Sequence, residues 1–364
     1  MLNRRGLLLA LVALSRPGRT AVPEFPAVVP RQLRFPADFG AHPDFRIEWW
    51  YLTGWLDRHR AAGGPLGFQV TFFRVRTDVD VANPSAFAAH ELIIAHAALA
   101  DPARGHLLVD ERIARTGFGQ AGAAVGNTDL QLHDWWLRRD AATGRYDASI
   151  AAQDFHLRFN AISMAPPWLQ GTAGVSRKGP LPTEASYYYS QPQLAVTASL
   201  RIAADDGESM RNLAGTAWLD HEWSSAALSA DAAGWDWIGM NLDDGSALVA
   251  FQVRARRPGP PLARYAALRH QDGRTKILDP SGVRFMPIDH WTSARSGATW
   301  PVAQRIEAGG RQFTTQPLMP DQELDSRATT GAIYWEGASM LLEAGKPVGR
   351  GYLEMTGYLE PIQL

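Results

Sequence analysis

One pattern of aromatic and acidic residues runs through this chain twice, in the same order. Glu48-Trp49, Leu56-Asp57 and Phe68-Gln69-Val70 return as Asp236-Trp237, Leu242-Asp243 and Phe251-Gln252-Val253. Further along, Tyr187-Tyr188-Tyr189-Ser190 is echoed by Tyr334-Trp335-Glu336-Gly337, and Trp218-Leu219-Asp220 by Tyr352-Leu353-Glu354. Recurrence in order is what duplication of one folding unit leaves behind. It restricts the chain to two similar domains, with their boundary in the polar, Ala-rich stretch Ser224 to Gly234. The expected division is 1–34 for an export signal and a Pro-rich tether, 35–226 for the first domain and 227–364 for the second.

The repeated segments read as strands. Thirteen Trp among 33 Gly and 24 Pro fit a sheet-rich chain, because aromatics suit pleated surfaces and Gly and Pro punctuate them. Strands are expected at Ile47 to Asp57, Gly67 to Arg74, Glu91 to Leu99, Leu130 to Leu137, Tyr146 to Phe159, Ala185 to Gln191 and Leu194 to Ile202. Helical periodicity is confined to short candidates such as Asn83 to His90. At 364 residues each domain can bury its own core without staples. The chain has no cysteine, which removes disulfides, thiolate metal ligands and cysteine nucleophiles. Lys plus Arg total 36 against 37 Asp plus Glu, so there is no charge excess to track a phosphate backbone, and nucleic acid is not an expected partner.

The stretch Gly215 to Arg254 spans the boundary. Period-2 alternation puts Leu219, His221 and Trp223 on one strand face and Asp220 and Glu222 on the other. Asp244-Gly245 fits a type I′ hairpin, and counting back from it places Trp237 opposite Gln252. With His221 and Trp223 closing one domain and Trp235 and Trp237 opening the next, the two groups are expected to meet at the interface, with His221 as the polar centre of a ligand site. Glu48 shares a face with Trp50, and a buried Glu48–Arg74 pair is expected across the first hairpin. Trp49, Tyr51, Tyr188 and Gln252 complete the expected ligand wall.

Residues 1–21 read MLNRRGLLLALVALSRPGRTA. A basic start and a short apolar run resemble a secretory signal, too short to span a bilayer of about 30 Å as a helix, and Arg4-Arg5 matches a twin-arginine leader. Export to the periplasm or beyond is expected, with no integral membrane segment in the mature chain and with Pro23 to Pro36 as an extended tether.

Other constellations fail on spacing. His90-Glu91 with His96 is not His-Glu-x-x-His, and no metal or other cofactor is expected. Gly174 to Gly179 is one residue too long for a Gly-x-Ser-x-Gly elbow. His96, among Leu92, Ile94 and Ala98, reads as a satisfied core histidine.

The chain also resembles a known family. Ile47-Glu48-Trp49-Trp50-Tyr51, Ala185 to Ser190, Trp218-Leu219-Asp220-His221-Glu222-Trp223-Ser224, Gly234 to Trp237 and Asp321-Gln322-Glu323-Leu324 are similar to the AttH-like secreted hydrolases, relatives of the carotenoid 1,2-hydratases. The resemblance implies an all-β fold of two tandem lipocalin-like, or calycin-like, antiparallel β-barrels with few short helices. It also implies that His221 and Trp223 match a His-x-Trp pair linked to hydration, with Trp223, Trp235 and Trp237 as an aromatic cage. Acid-catalysed hydration needs a proton donor, and the strand Ala250-Phe251-Gln252-Val253 carries no carboxylate. The acid would then be Asp220, Glu48 or Asp236.

Two classes of function stand at this point. One is an enzyme acting on a hydrophobic small molecule, of isoprenoid or lipid type, at the interface of the barrels, with His221, Asp220 and Glu48 as acid and base candidates. The other is a non-catalytic lipid carrier or chaperone lined by the same aromatics. A strongly shifted pKa on His221 or Asp220 inside a pocket favours the first.

Overall fold

The structure is a computed structural model that describes residues 23–58, 63–203, 210–226 and 228–362. The segment expected to be an export leader lies outside the described residues. The chain forms strands β1 (Ile47–Asp57), β2 (Leu66–Arg76), β3 (Glu91–Ala100) and β4 (Leu107–Arg115). Shorter strands follow: β5 (Ala121–Ala123), β6 (Asp129–Leu132), β7 (Trp135–Arg139), β8 (Tyr146–Ala151) and β9 (Phe155–Ile162). After β10 (Trp168–Leu169) and β11 (Val175–Arg177), the long strands β12 (Ala185–Ile202) and β13 (Arg211–Ala226) close the first sheet. The second opens with β14 (Ala232–Leu242), β15 (Ala247–Ala255), β16 (Ala263–Arg269) and β17 (Thr275–Ile277). It continues through β18 (Arg284–Thr292), β19 (Thr299–Ala308), β20 (Arg311–Pro317) and β21 (Glu323–Ser326) to β22 (Ala332–Glu343) and β23 (Lys346–Thr356).

Both sheets follow one plan. The first runs β4-β3-β2-β1-β13-β12-β9-β8-β7-β6-β5 and the second β17-β16-β15-β14-β23-β22-β20-β19-β18. In each, the last strand returns to pair antiparallel with the first, β13 on β1 and β23 on β14. The first sheet curls until β3 and β4 approach β5 and β6, where Arg112 of β4 bonds Asp134 and the Ala151 carbonyl. The fold is therefore all-β, two tandem lipocalin-like antiparallel barrels, with 3-10 turns such as Ala37–Phe39 and Pro280–Gly282. Among the described residues no helix is long and apolar enough to cross a membrane.

Alternation explains the layers. In β1 the even residues Trp50, Leu52 and Leu56 join the core of the first barrel, while Tyr51 and Trp55 join a separate core with Trp218, Trp237, Phe251 and Tyr352 between the barrels. Both faces of the strand are buried, each by a different partner.

Several expectations are corrected. Asn83 to His90 forms turns rather than a helix. Leu107–Arg115 is a further strand, beyond those expected. The single strand at Leu130 to Leu137 is two, broken where His133 takes a positive φ of 55°, and Tyr146 to Phe159 is likewise two. Conversely, the two segments from Ala185 to Ile202 are one strand with a bulge, carried by Gln193 at φ 56°. The tract Pro23 to Pro36 is not a free tether: Val28 and Leu33 are buried with Phe39 against Tyr187, Tyr189 and Trp223. The Tyr187 hydroxyl donates to the Val29 carbonyl at 2.6 Å and accepts from its amide at 3.2 Å.

The β14–β15 hairpin departs from the expected register. Trp237 pairs with Phe251, and Gln252 pairs with Asp236. The Leu242 amide bonds the Ser246 carbonyl at 2.9 Å, so the loop holds Asp243, Asp244 and Gly245. Gly245 has a positive φ of 81° while Asp244 does not, the pattern of a three-residue loop rather than a type I′ turn. One extra loop residue shifts the register by one and turns Gln252 away from Trp237.

Candidate active site

Between the two sheets lies a cavity of about 90 Å³. Registers show that corresponding faces of the duplicated sheets build it. Tyr51 is opposite Asp220 and Thr71; Trp237 is opposite Glu354 and Phe251. One step along, Trp49 faces Phe73 as Trp235 faces Val253. Ser190 sits opposite Asp220 as Glu336 sits opposite Glu354. The structural repeat thus equates Trp49 with Trp235 and Tyr51 with Trp237, two residues away from the equivalence of Trp49 with Trp237 read from sequence. The cavity has approximate two-fold symmetry with unlike residues at matching places.

The first half is organised on Asp220. Its Oδ1 accepts from Ser190 Oγ at 2.5 Å and Trp218 Nε1 at 2.7 Å, and its Oδ2 from the Tyr188 hydroxyl at 2.8 Å. Trp237 Nε1 donates to Tyr188 at 3.2 Å, which carries the chain of hydrogen bonds across the domain boundary. Burial pushes Asp220 up to about 7, against three donors that favour the ionised form and with the Glu222 charge adding to the rise. The group therefore changes protonation near neutral pH. Glu222, on the same face, is paired with Lys178 at 2.9 Å and accepts from Ser186.

The second half holds Glu336 and Glu354, directly opposite one another on β22 and β23. Glu336 accepts from the Tyr51 hydroxyl at 2.6 Å, and Glu354 from Trp235 Nε1 at 2.9 Å. Burial pushes Glu336 up to about 7; burial and then the Glu336 charge hold Glu354 well above the ordinary carboxyl range. Among the described residues no lysine or arginine forms an ion pair with Asp220, Glu336 or Glu354. His96 also lines the cavity; burial lowers it to about 3, so it is neutral, with Nε2 3.0 Å from Thr329 Oγ1.

Glu48, His221 and Trp223 lie elsewhere, which corrects the expectation that His221 is the cavity's polar centre. They occupy the opposite face of β1 and β13, as alternation from Asp220 requires. Glu48 Oε1 meets His221 Nε2 at 2.7 Å and His42 Nδ1 at 2.7 Å, and its Oε2 accepts from Arg74 Nε at 2.9 Å, the pair expected from sequence. His221 Nδ1 lies 3.0 Å from the Tyr189 hydroxyl. His42 Nε2 lies 3.0 Å from Asp38, and its ring stacks on Trp223 at 3.8 Å.

Protons account for this cluster completely. Burial lowers His221 to about 4, so it is neutral, giving its Nε2 proton to Glu48 and accepting from Tyr189. His42 also loses by burial, but its bonds to Asp38 and Glu48 outweigh that and raise it, as expected for an imidazolium between two carboxylates. Burial likewise opposes the ionisation of Glu48, and the bonds from His221 and His42 overcome it, holding the carboxyl well below its usual range. His42, Glu48 and His221 bring their donor atoms within 4.8 Å of one another, yet Arg74 already neutralises Glu48, and the donor set does not fit a dication beside that guanidinium.

Of the residues singled out from sequence, Trp49, Tyr51, Tyr188, Asp220, Trp235 and Trp237 come together at the cavity. Gln252 does not: its amide donates to Asp236 at 2.8 Å behind the wall. Asp236 lies with it, accepting from Tyr358 at 2.8 Å. Sequence reading missed Lys178, Glu222, Tyr334, Glu336 and Glu354. Glu354 was present as the echo of Asp220, and the repeat itself was the signal that could have found it.

Fold and site together define a tandem lipocalin-like protein with an acid-rich, aromatic pocket between its barrels. The profile of the AttH-like family matches residues 26–358, and the chain belongs to that family. A crystal structure of a candidate AttH from Nitrosomonas europaea is 51% identical, with a TM-score of 0.83 over 92% of this chain and 99% of that one. Kievitone hydratase from Nectria haematococca shares the fold at 14% identity, with a TM-score of 0.66 over 90% of this chain and 94% of that one. The structure of CghA shares it at 13% identity and a TM-score of 0.53, over 95% and 98%. Comparison with curated proteins gives no match.

Proposed function

We propose that the inter-barrel cavity is an active site that adds water to, or removes it from, an apolar small molecule of isoprenoid or lipid type. The observation that carries the reading is Asp220, a carboxyl in an aromatic pocket pushed up to about 7 with no cation beside it. A neutral carboxylic acid there can protonate one carbon of an alkene while ring faces stabilise the cation formed. Water then adds to the other carbon, and its proton returns to the Asp220 carboxylate. Tyr188 and Ser190 hold that carboxylate in place, and His221 and Glu48 support the strand from behind rather than touching the ligand. A fold shared with a hydratase is consistent with the reading.

The carrier alternative is less well supported, because the carboxyls Asp220, Glu336 and Glu354 face the cavity, whereas a carrier keeps its titratable groups paired outside a dry hold. We further propose, on the Arg4-Arg5 leader, that the protein works after export. Replacing both arginines by lysine is then expected to retain it in the cytoplasm.

The test of the reaction is solvent exchange. A panel of short prenyl alkenes is incubated in deuterated water with the protein, and deuterium at the alkene carbons is read by mass spectrometry. Incorporation that falls about 10²- to 10⁴-fold in Asp220→Asn supports the proposal. No incorporation by the wild type across the panel, or none lost in the variant, overturns it.

A further inference from the structure

The cavity's charge inventory points past an uncharged ligand. Four carboxyl groups face it, Asp220, Glu222, Glu336 and Glu354, and Lys178 is paired with Glu222. That leaves three carboxyls with hydrogen-bond donors and no cation. Glu336 and Glu354 are moreover direct cross-strand partners, an arrangement in which two negative charges repel at close range. A pocket built solely for hydrocarbon has no use for this pair, since burying even neutral carboxyls costs free energy.

The walls supply a second, independent observation. Trp49, Trp235, Trp237, Tyr51, Tyr188 and Tyr334 surround the space with indole and phenol rings. Such rings attract cations through their negative faces. The protein already shows that they do so here: the Lys178 ammonium lies 4.2 Å from the Phe251 ring centroid and 4.8 Å from that of Tyr188, with Glu222 at 2.9 Å. One corner of the pocket therefore holds an ammonium between ring faces and a carboxylate. The remaining corner, with Trp237, Tyr51, Glu336 and Glu354, has the same ingredients.

We infer that the ligand of this cavity carries, besides the apolar portion that faces Asp220, a compact organic cation, a quaternary or protonated nitrogen clothed in apolar carbon, seated on the Glu336–Glu354 pair inside the aromatic walls. The inference rests on the reading of the cavity as the ligand site. The cation replaces one of the two protons that let these facing carboxyls lie side by side uncharged; that proton leaves to solvent and the other stays shared on the pair, so the site remains neutral with the cation bound. The Trp237 ring presses on Gly239, where an added Cβ would lie 2.3 Å from its Cη2, which fixes one wall of the seat.

The experiment compares two probes of the same shape, choline and its carbon isostere 3,3-dimethylbutan-1-ol, titrated into the full chain with binding read by calorimetry and by the fluorescence of the lining tryptophans. Choline is expected to bind at least about tenfold more tightly than the alcohol, the order of preference that desolvated ring faces give a cation. Glu336→Gln and Glu354→Gln are each expected to erase that preference, bringing choline down to the affinity of the alcohol, and the lining-tryptophan fluorescence of each variant without probe reports whether its cavity is intact. Equal affinities for the two probes, or a preference that survives both variants, overturn the cation inference and leave the cavity reading standing. If neither probe binds and neither perturbs the lining tryptophans, the cavity reading falls, and the inference with it.

Discussion

Tyr51 of the first sheet donates its hydroxyl proton to Glu336 of the second at 2.6 Å, and both side chains are buried. The bond joins the two barrels at the cavity, and its removal leaves a buried acceptor without its donor. Tyr51→Phe is expected to cost about 1–3 kcal/mol and to push Glu336 further up. Urea denaturation checks the first effect, and the carboxyl infrared band of Glu336 across pH checks the second.

The pH dependence of stability follows from Asp220. Its ordinary pKa is 3.8 and in the folded protein it lies at about 7. Between about pH 4 and about pH 7 the folded state holds a proton that the unfolded chain has lost, so this group's contribution falls as pH rises through that window and levels off above it. His221 acts the other way: lowered from 6.5 to about 4, it costs stability as pH falls through that range. Asp220→Asn isolates the first effect. Relative to wild type, the variant is expected to gain melting temperature as pH is raised from 5 to about 7 and to level off above that; a constant difference would contradict it.

Glu48 is a buried anion between Arg74, His42 and His221. Glu48→Gln leaves buried positive charge without its counter-ion and is expected to destabilise by about 3–5 kcal/mol, measured by the denaturation midpoint.

His221→Ala separates a strut from a ligand-binding residue. His221 bonds Tyr189 and Glu48 on the face away from the cavity. The variant is expected to lose about 1–3 kcal/mol while ligand binding in the cavity is kept. Normal stability with lost binding would place the imidazole at the ligand after all.

Gly67 sits where the barrels touch. An added Cβ would lie 2.5 Å from Ala338 Cβ and 2.9 Å from the Tyr352 hydroxyl. Neither neighbour can swing aside, because a methyl has no rotamer and Tyr352 is enclosed. Gly67→Ala is expected to cost about 1–3 kcal/mol by overpacking, with a change in tryptophan fluorescence from the strained interface.

The fold was legible because local signals agreed: alternation in β1 and β13, a Gly-marked hairpin and an ordered repeat. The separation of Asp220 from His221 was also legible, since neighbours on a strand point to opposite faces. What alternation could not say was which face looks toward the other barrel. Trp50 and Tyr51 are both aromatic and both buried, so hydrophobicity carries no sign of direction there, and His221 was put on the wrong side. The hairpin error had another source. Asp243, Asp244 and Gly245 admit two loop lengths, and the choice depends on the φ angle of Asp244, which the residue type does not decide. Glu336 was hidden because its partner in the first barrel is Ser190, a different residue in kind.

That mismatch between matching places has a consequence for how a ligand can lie. Two identical halves would accept any guest head-first or tail-first with equal ease. Here Ser190 answers to Glu336, Thr71 to Phe251 and His96 to Tyr265. The two orientations therefore differ in energy, and a guest with two unlike ends has one way round that is preferred. Duplication supplied the frame twice; the divergence of its two copies is what gives the pocket a direction.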